Sequence, residues 1–186
     1  MNKTITSKEA ILEKAKLIVK ECGIEGLNIR KVAKKCNISI GSIYNYFPTK
    51  SDLIIETIKF IWMDIMHNYK DINKNSSFVE VLKTLYLNIK EGSNNYPYFF
   101  KNHSLAIAND DKPKGKNTMD LFFVHIKESL ILTLENDNDI KEGVFNDLFT
   151  KVDFVDFIFN NLILLISNNQ SFDFLSELTT KLLYRN

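Results

Sequence analysis

Apolar residues recur along this chain at intervals of three and four, the spacing of one helical face, and hairpin signals are absent. A Thr6-x-x-Glu9 capping box predicts the start of a first helix, with Ile11, Ala15, Ile18 and Cys22 as its apolar stripe and Gly23 as its stop. Asn28 caps a second helix, Ile29 to Lys35, with Val32, Ala33 and Cys36 facing inward. A third begins near Ser39 and ends at Phe47, before Pro48. Thr49 with Asp52 then opens a fourth, running to about Asp71. Ser77-x-x-Glu80 opens another that ends near Gly92, and Pro97 lies in the first turn of one running to about Ala108. The run Asn109 to Asn117 reads as a loop, followed by helices at about Thr118 to Glu135, Asn146 to Ser167 and Ser171 to Tyr184. The pattern predicts an all-α chain of nine helices: three in a head over residues 1–50, a connector, and five in a body completing residues 51–186.

The third helix is too short to be stable alone. Its outward face, Ser39, Ile40, Ser42, Tyr44 and Asn45, is poorly suited to packing. Such an element is carried by a scaffold and inserted into something, and the DNA major groove is what best fits a helix. Residues 29–48 have the parts of a helix-turn-helix. Ala33 is the small residue where two helices touch, Asn37 stands at the turn four positions later, and Val32, Ile38 and Ile43 are apolar anchors. Asn is the next best residue after glycine for a turn at positive φ. An ordinary helical hairpin accounts for the anchors, but not for the polar start of the third helix or the restart at Thr49.

Charge sharpens this picture. Residues 1–50 hold ten Lys/Arg against four Asp/Glu, and the remainder holds fourteen against nineteen, so a basic head sits on an acidic body. That asymmetry suits a nucleic-acid-binding module attached to something else. Asn28 and Arg30 are placed to grip flanking phosphates, Asn45 to pair with an adenine edge, and Ile40 or Ile43 to touch a thymine methyl.

On these residues the chain resembles the TetR family of bacterial transcription regulators. The likeness covers about residues 5–55, with I-x-x-V-A across Ile29 to Ala33 and G-S-I-Y-N-Y-F-P-T-K-S-D-L from Gly41. The family usually has Thr or Leu where Ser42 and Ile43 stand, often His in place of Asn45, and Gly in place of Asn37. Over residues 75–186 the likeness lies only in helix order. The resemblance implies that Tyr44 and Tyr46 contact phosphate or base edges, with packing against the fourth helix as the alternative for Tyr46, that Lys50 contacts a phosphate, and that Phe47 belongs to the core. It also implies a homodimer through the last two helices, an apolar effector cavity, and a double-stranded DNA operator. Repression is favoured over activation because a bulky dimer most easily blocks polymerase.

The body carries candidates for both roles. Val152, Val155, Phe159, Leu162 and Ile166 form a seam on one helix, and Leu175, Leu178 and Leu182 continue it on the next, giving an expected dimer interface, with complete burial inside the monomer as the alternative. Residues 49–186 hold nineteen of the twenty-two aromatics, enough for an apolar cavity. Trp62, Met63, Met66, Tyr86, Phe99, Phe100, His103, Phe122 and His125 are its expected lining, although each taken singly also reads as core.

Catalysis finds little support. The three histidines form no H-x-x-x-H pair, and there is no C-x-x-C, glycine-rich phosphate loop or nucleophile elbow, so no enzyme, metal or cofactor is expected. Cys22 and Cys36 are expected as buried, reduced thiols. Without a secretory signal or an apolar run able to span a bilayer, the expected location is cytoplasmic, with no membrane partner. A different class remains: a helical adaptor controlled by a protein partner, lacking specific DNA binding.

Overall fold

Local signals fix the helix ends before packing arranges them. The structure, a computed structural model, describes residues 7–66, 76–97 and 113–184, with residues 113–122 by their backbone alone. The chain divides into two compact units, Met1–Asp64 with Ser93–Met119, and Ile65–Gly92 with Asp120–Asn186.

In the first unit Ser7 accepts a hydrogen bond from the Ala10 amide at 3.1 Å and starts α1 (Lys8–Cys22), so the cap stands one residue after the expected one. A 3₁₀ turn at Ile24–Gly26 leads to α2 (Ile29–Cys36), α3 (Ile40–Tyr44) and α4 (Lys50–Ile65). Ile11, Ala15, Val19, Leu27, Val32, Ile43 and Leu53 are fully buried and form the centre of the head. Fully burying one such aliphatic side chain contributes about 1.5–3 kcal/mol. Polar ties hold α1 to α4 at both ends. Lys8 reaches Glu56 at 2.6 Å and Lys16 reaches Asp64 at 3.4 Å, with Lys16 also 5.2 Å above the Phe60 ring. The Tyr96 hydroxyl donates to Asp64 at 2.9 Å. These ties run along α4 to Asp64, where the first segment of this compact unit ends.

The thiols depart from expectation. Both are free, but Cys22, the last residue of α1 before Gly23 turns the chain at φ 70°, is exposed, and Cys36, the last residue of α2, is only half-buried. Partial burial still pushes the Cys36 thiol pKa up.

The second unit draws on α5 (Phe78–Asn95), α6 (Pro113–Asn136), α7 (Lys151–Ser167) and α8 (Asp173–Leu183). The expected box at the start of α5 is present: the Ser77 amide donates to Glu80 at 2.9 Å and the Glu80 amide to Ser77 Oγ at 3.4 Å. Distant groups complete this end. The Phe78 amide donates to Asp137 Oδ2 at 2.8 Å and to the Tyr184 hydroxyl at 3.1 Å, while that hydroxyl donates to the same Asp137 oxygen at 2.5 Å. Burial and the carboxylate together raise the Tyr184 pKa. Where α5 passes Ile65, Gly92 leaves no room, since a Cβ there would lie 2.6 Å from Ile65 Cγ1.

Two element boundaries differ from the sequence reading. Helix α6 begins at Pro113, inside the run read as a loop, because proline is well suited to a helix's first turn. Helix α7 begins at Lys151, not Asn146. Thr150 caps it, while Asn146 Oδ1 accepts from the Leu148 and Phe149 amides at 2.9 and 3.0 Å in a tight turn. Phe145 and Phe149 anchor that turn on Phe154, each ring 5.7 Å away. Eight α-helices and no strands are present among the described residues. The helix expected at Pro97 to Ala108 lies outside them from residue 98 onward, as does the end of the fourth helix beyond residue 66.

Candidate nucleic-acid interface

Helix α2 is started by Asn28, whose Oδ1 accepts from the Lys31 amide at 2.9 Å. It stops at Asn37, which takes the left-handed conformation at φ 54°, ψ 44°, and the next amide, Ile38, returns to Ala33 O at 3.1 Å. The turn residue expected from the sequence thus does what glycine would do there. Ser39 caps α3, accepting from the Ser42 amide at 3.1 Å, and the two serine hydroxyls lie 2.8 Å apart. Beyond Pro48, Thr49 and Asp52 form a reciprocal cap at the head of α4, with bonds of 2.8–3.1 Å. Lys50 is its first residue and is exposed.

This framework decides which candidates can reach a partner. Ile43 and Phe47 are buried at 0% and 1% exposure and hold α3 to the core. Ile43 is therefore corrected from a possible base contact to an anchor alone, which leaves Ile40, exposed at 43%, as the apolar residue facing outward. Tyr44 and Tyr46 are exposed at 47% and 38%. Arg30, Ser39 and Asn45 are exposed, and Ser42 is half-buried. Asn28 is half-buried and spends its carbonyl oxygen on the cap, so its expected grip on phosphate is reduced to its amide nitrogen.

The charge of the head sorts in the same way. Lys8, Lys16 and Lys35 are paired with acids at 2.6–3.4 Å. Among the described residues of the head, Lys14, Lys20, Arg30, Lys31, Lys34 and Lys50 have no acidic partner and are exposed; the last four lie on α2 and the start of α4. Lys31 and Lys34 were not singled out in the sequence; their spacing after Arg30 on the face opposite Val32 and Ala33 was the available signal.

The body candidates divide less kindly. Trp62, Met66 and Tyr86 are buried, but Met63 is 60% exposed and His125 is exposed beside Glu128 at 3.2 Å, so neither of the last two lines an interior. Phe99, Phe100 and His103 lie outside the described residues, as does the Phe122 side chain. Within the second unit an open groove of 380 Å³ runs along α6 and α7, lined by Phe123, Val124, Lys127, Phe159, Asn160 and Ile163. The expected dimer seam is corrected as well. Val155, Phe159, Leu162, Ile166 and Leu175 are buried within the single chain and Leu178 is half-buried. Val152 and Leu182 stay exposed at 54% and 41%, together with Phe157, Leu164 and Phe174 at 54%, 56% and 79%.

Residues 11–57 match the family model described as bacterial regulatory proteins, tetR family. The HTH-type transcriptional regulator PksA of Bacillus subtilis (strain 168) is 29% identical over 65 residues, 35% of this chain and 32% of that protein, so the match spans about a third of that relative. Among solved structures, a transcriptional regulator from Rhodococcus sp. Rha1 aligns with a TM-score of 0.69 at 16% identity, over 88% of this chain and 83% of that one. A transcriptional regulator from Aquifex aeolicus VF5 aligns at 0.59 and 23% identity, over 94% of each chain. The structural likeness speaks for the fold, and the sequence match falls on the head that carries the helix-turn-helix. Residues 11–57 therefore match the head of the tetR family of bacterial regulatory proteins, and the chain as a whole shares the fold of the solved transcriptional regulators it resembles.

Proposed function

We propose that the protein acts as a homodimeric repressor of a palindromic DNA operator, released by a small and mostly apolar molecule. The observation that carries the DNA reading is the exposed face of α3, in a unit whose α2 and start of α4 carry four exposed cations without acidic partners. A five-residue helix held at Ile43 and Phe47, with Ile40, Tyr44 and Asn45 outward, suits insertion into a major groove. Arg30, Lys31, Lys34 and Lys50 suit the flanking phosphates. Two-fold symmetry of the protein requires a palindromic site, its half-sites about one helical turn apart or somewhat more. The apolar residues left exposed on α7 and α8 support the dimer. The aromatic content of the body and the groove beside Lys127 support a small apolar effector.

The test begins with duplexes selected by the protein from a random-sequence pool. Tyr44→Ala should weaken binding to the selected duplex by roughly 1–3 kcal/mol. Lys50→Ala should weaken selected and random duplexes alike and reduce the salt slope by about one. A parent protein that enriches no sequence, or two folded variants that bind like the parent, would sink the reading. In that event control through a protein partner becomes the reading to pursue.

A further inference from the structure

Gly41 lies inside the shortest α-helix among the described residues, at a position where glycine is unfavourable and where nothing in its described surroundings calls for it. The glycines with described surroundings otherwise have internal reasons. A Cβ at Gly26 would fall 2.4 Å from Cys22 Cβ, and one at Gly92 would fall 2.6 Å from Ile65. Gly23 and Gly143 adopt φ of 70° and 74°, which side chains resist. At Gly41 the backbone is α-helical, and a Cβ would meet only Ser39 Oγ, at an ordinary 3.7 Å. Alanine would fit and would favour the helix, which at five residues has little propensity to lose.

The place of Gly41 on the helix gives its absence of a side chain a use. At 3.6 residues per turn it stands about 200° from Ile43, nearly opposite the anchor that fixes α3 to the core. Asn45 is its neighbour on that outer face, with Ile40 and Tyr44 to one side, all of them exposed. The most outward point of the helix is therefore bare backbone, with longer side chains around it.

We infer that Gly41 is a specificity-determining residue: it lets the α3 backbone approach the floor of the DNA groove closely enough for Ile40, Tyr44 and Asn45 to reach base edges. This rests on the DNA-binding reading above. A methyl group at Gly41 would hold the helix off the groove without disturbing the fold. Phosphate contacts by Lys50 and Arg30 reach along longer, flexible side chains and tolerate such a shift. Base contacts need fixed distances and do not. A loss confined to sequence-specific binding is the signature.

The experiment compares parent, Gly41→Ala and Lys50→Ala on one duplex selected by the parent and one random duplex, alongside thermal melts. Gly41→Ala should melt about 2 °C higher than the parent. It should bind the selected duplex about tenfold more weakly, while the random duplex changes by less than about threefold. Selected-duplex binding within threefold of the parent overturns the inference and leaves the DNA reading intact, since parent and Lys50→Ala still report on it. Equal losses on both duplexes also overturn it, as does a lowered melting temperature, which would mean that the position is not open. A parent that selects no duplex removes the DNA reading and this inference together.

Discussion

Asn37 and Glu56 show how much of the head rests on single side chains. Asn37 holds α2 to α3 at φ 54°, where an ordinary L-residue pays roughly 1–2 kcal/mol. Asn37→Gly should be neutral within about 0.5 kcal/mol in urea unfolding, because glycine takes the conformation freely but gains entropy when unfolded. Asn37→Val should cost about 1–2 kcal/mol. Glu56 is bonded by Lys8 and Lys59, and the Lys8 bond, ahead of opposing desolvation, holds its carboxyl below the ordinary value of 4.5. A depressed folded pKa stabilises the head fully above that ordinary value, and the contribution drains away as pH falls through it toward the folded value. Thermal melts should therefore show the parent ahead of Glu56→Gln at pH 7, with the gap closing below about pH 4. The gap should be under about 1 kcal/mol, because the pair is partly exposed.

At the level of elements, tight passages matter more than caps. Gly92 lets α5 lie against Ile65, and a methyl there would press on Cγ1, Cδ1 and Cγ2 at 2.6–3.0 Å. Gly92→Ala should destabilise by about 1–3 kcal/mol, and Ile65→Ala in the same chain should recover part of that by vacating the contested space. Denaturant midpoints of the two single variants and the double would measure the coupling. The caps and stops were largely legible beforehand: Asn28, Asn37, the Thr49–Asp52 pair and the Ser77–Glu80 pair each name their own partners within a few residues. Passages such as Gly92 on Ile65 were not, because nothing local records which helix lies opposite. The start of α6 was misread for a related reason. Proline, lysine and glycine together look like a loop, yet proline one residue inside a helix is compatible with it.

At the scale of the whole molecule, the most regular face of α7 is an interior one. The seam through Val155, Phe159, Leu162 and Ile166 is the most regular apolar pattern in the sequence, and the chain uses it for its own core. Periodicity reveals that a face is covered, not what covers it. The outer face mixes Phe157 and Leu164 with Asp153 and Asn160, as a surface that must also meet water would. Under the dimer proposal, Phe157→Glu or Leu164→Glu should yield folded monomers with weakened operator binding. Phe159→Glu should instead unfold the chain, since it buries a charge without a partner. Sedimentation with circular dichroism separates the two, and a dimer that survives both outer substitutions would remove this face from the proposal. The DNA side was more legible because its chemistry must be displayed: Tyr44, Asn45 and Lys50 are where the sequence placed them, outside.

The clamp on α5 has a consequence for how the protein is made. The Phe78 amide is closed in part by a hydroxyl 106 residues further along, and by Asp137, 59 residues further along. By contrast, the ties of the head from Lys8 to Glu56 span 48 residues. During synthesis the head has its partners early and can fold while translation continues, whereas the body waits with the start of α5 unsealed until Tyr184 emerges. A nascent chain would thus present a finished reading head before it has the body proposed to pair and govern it.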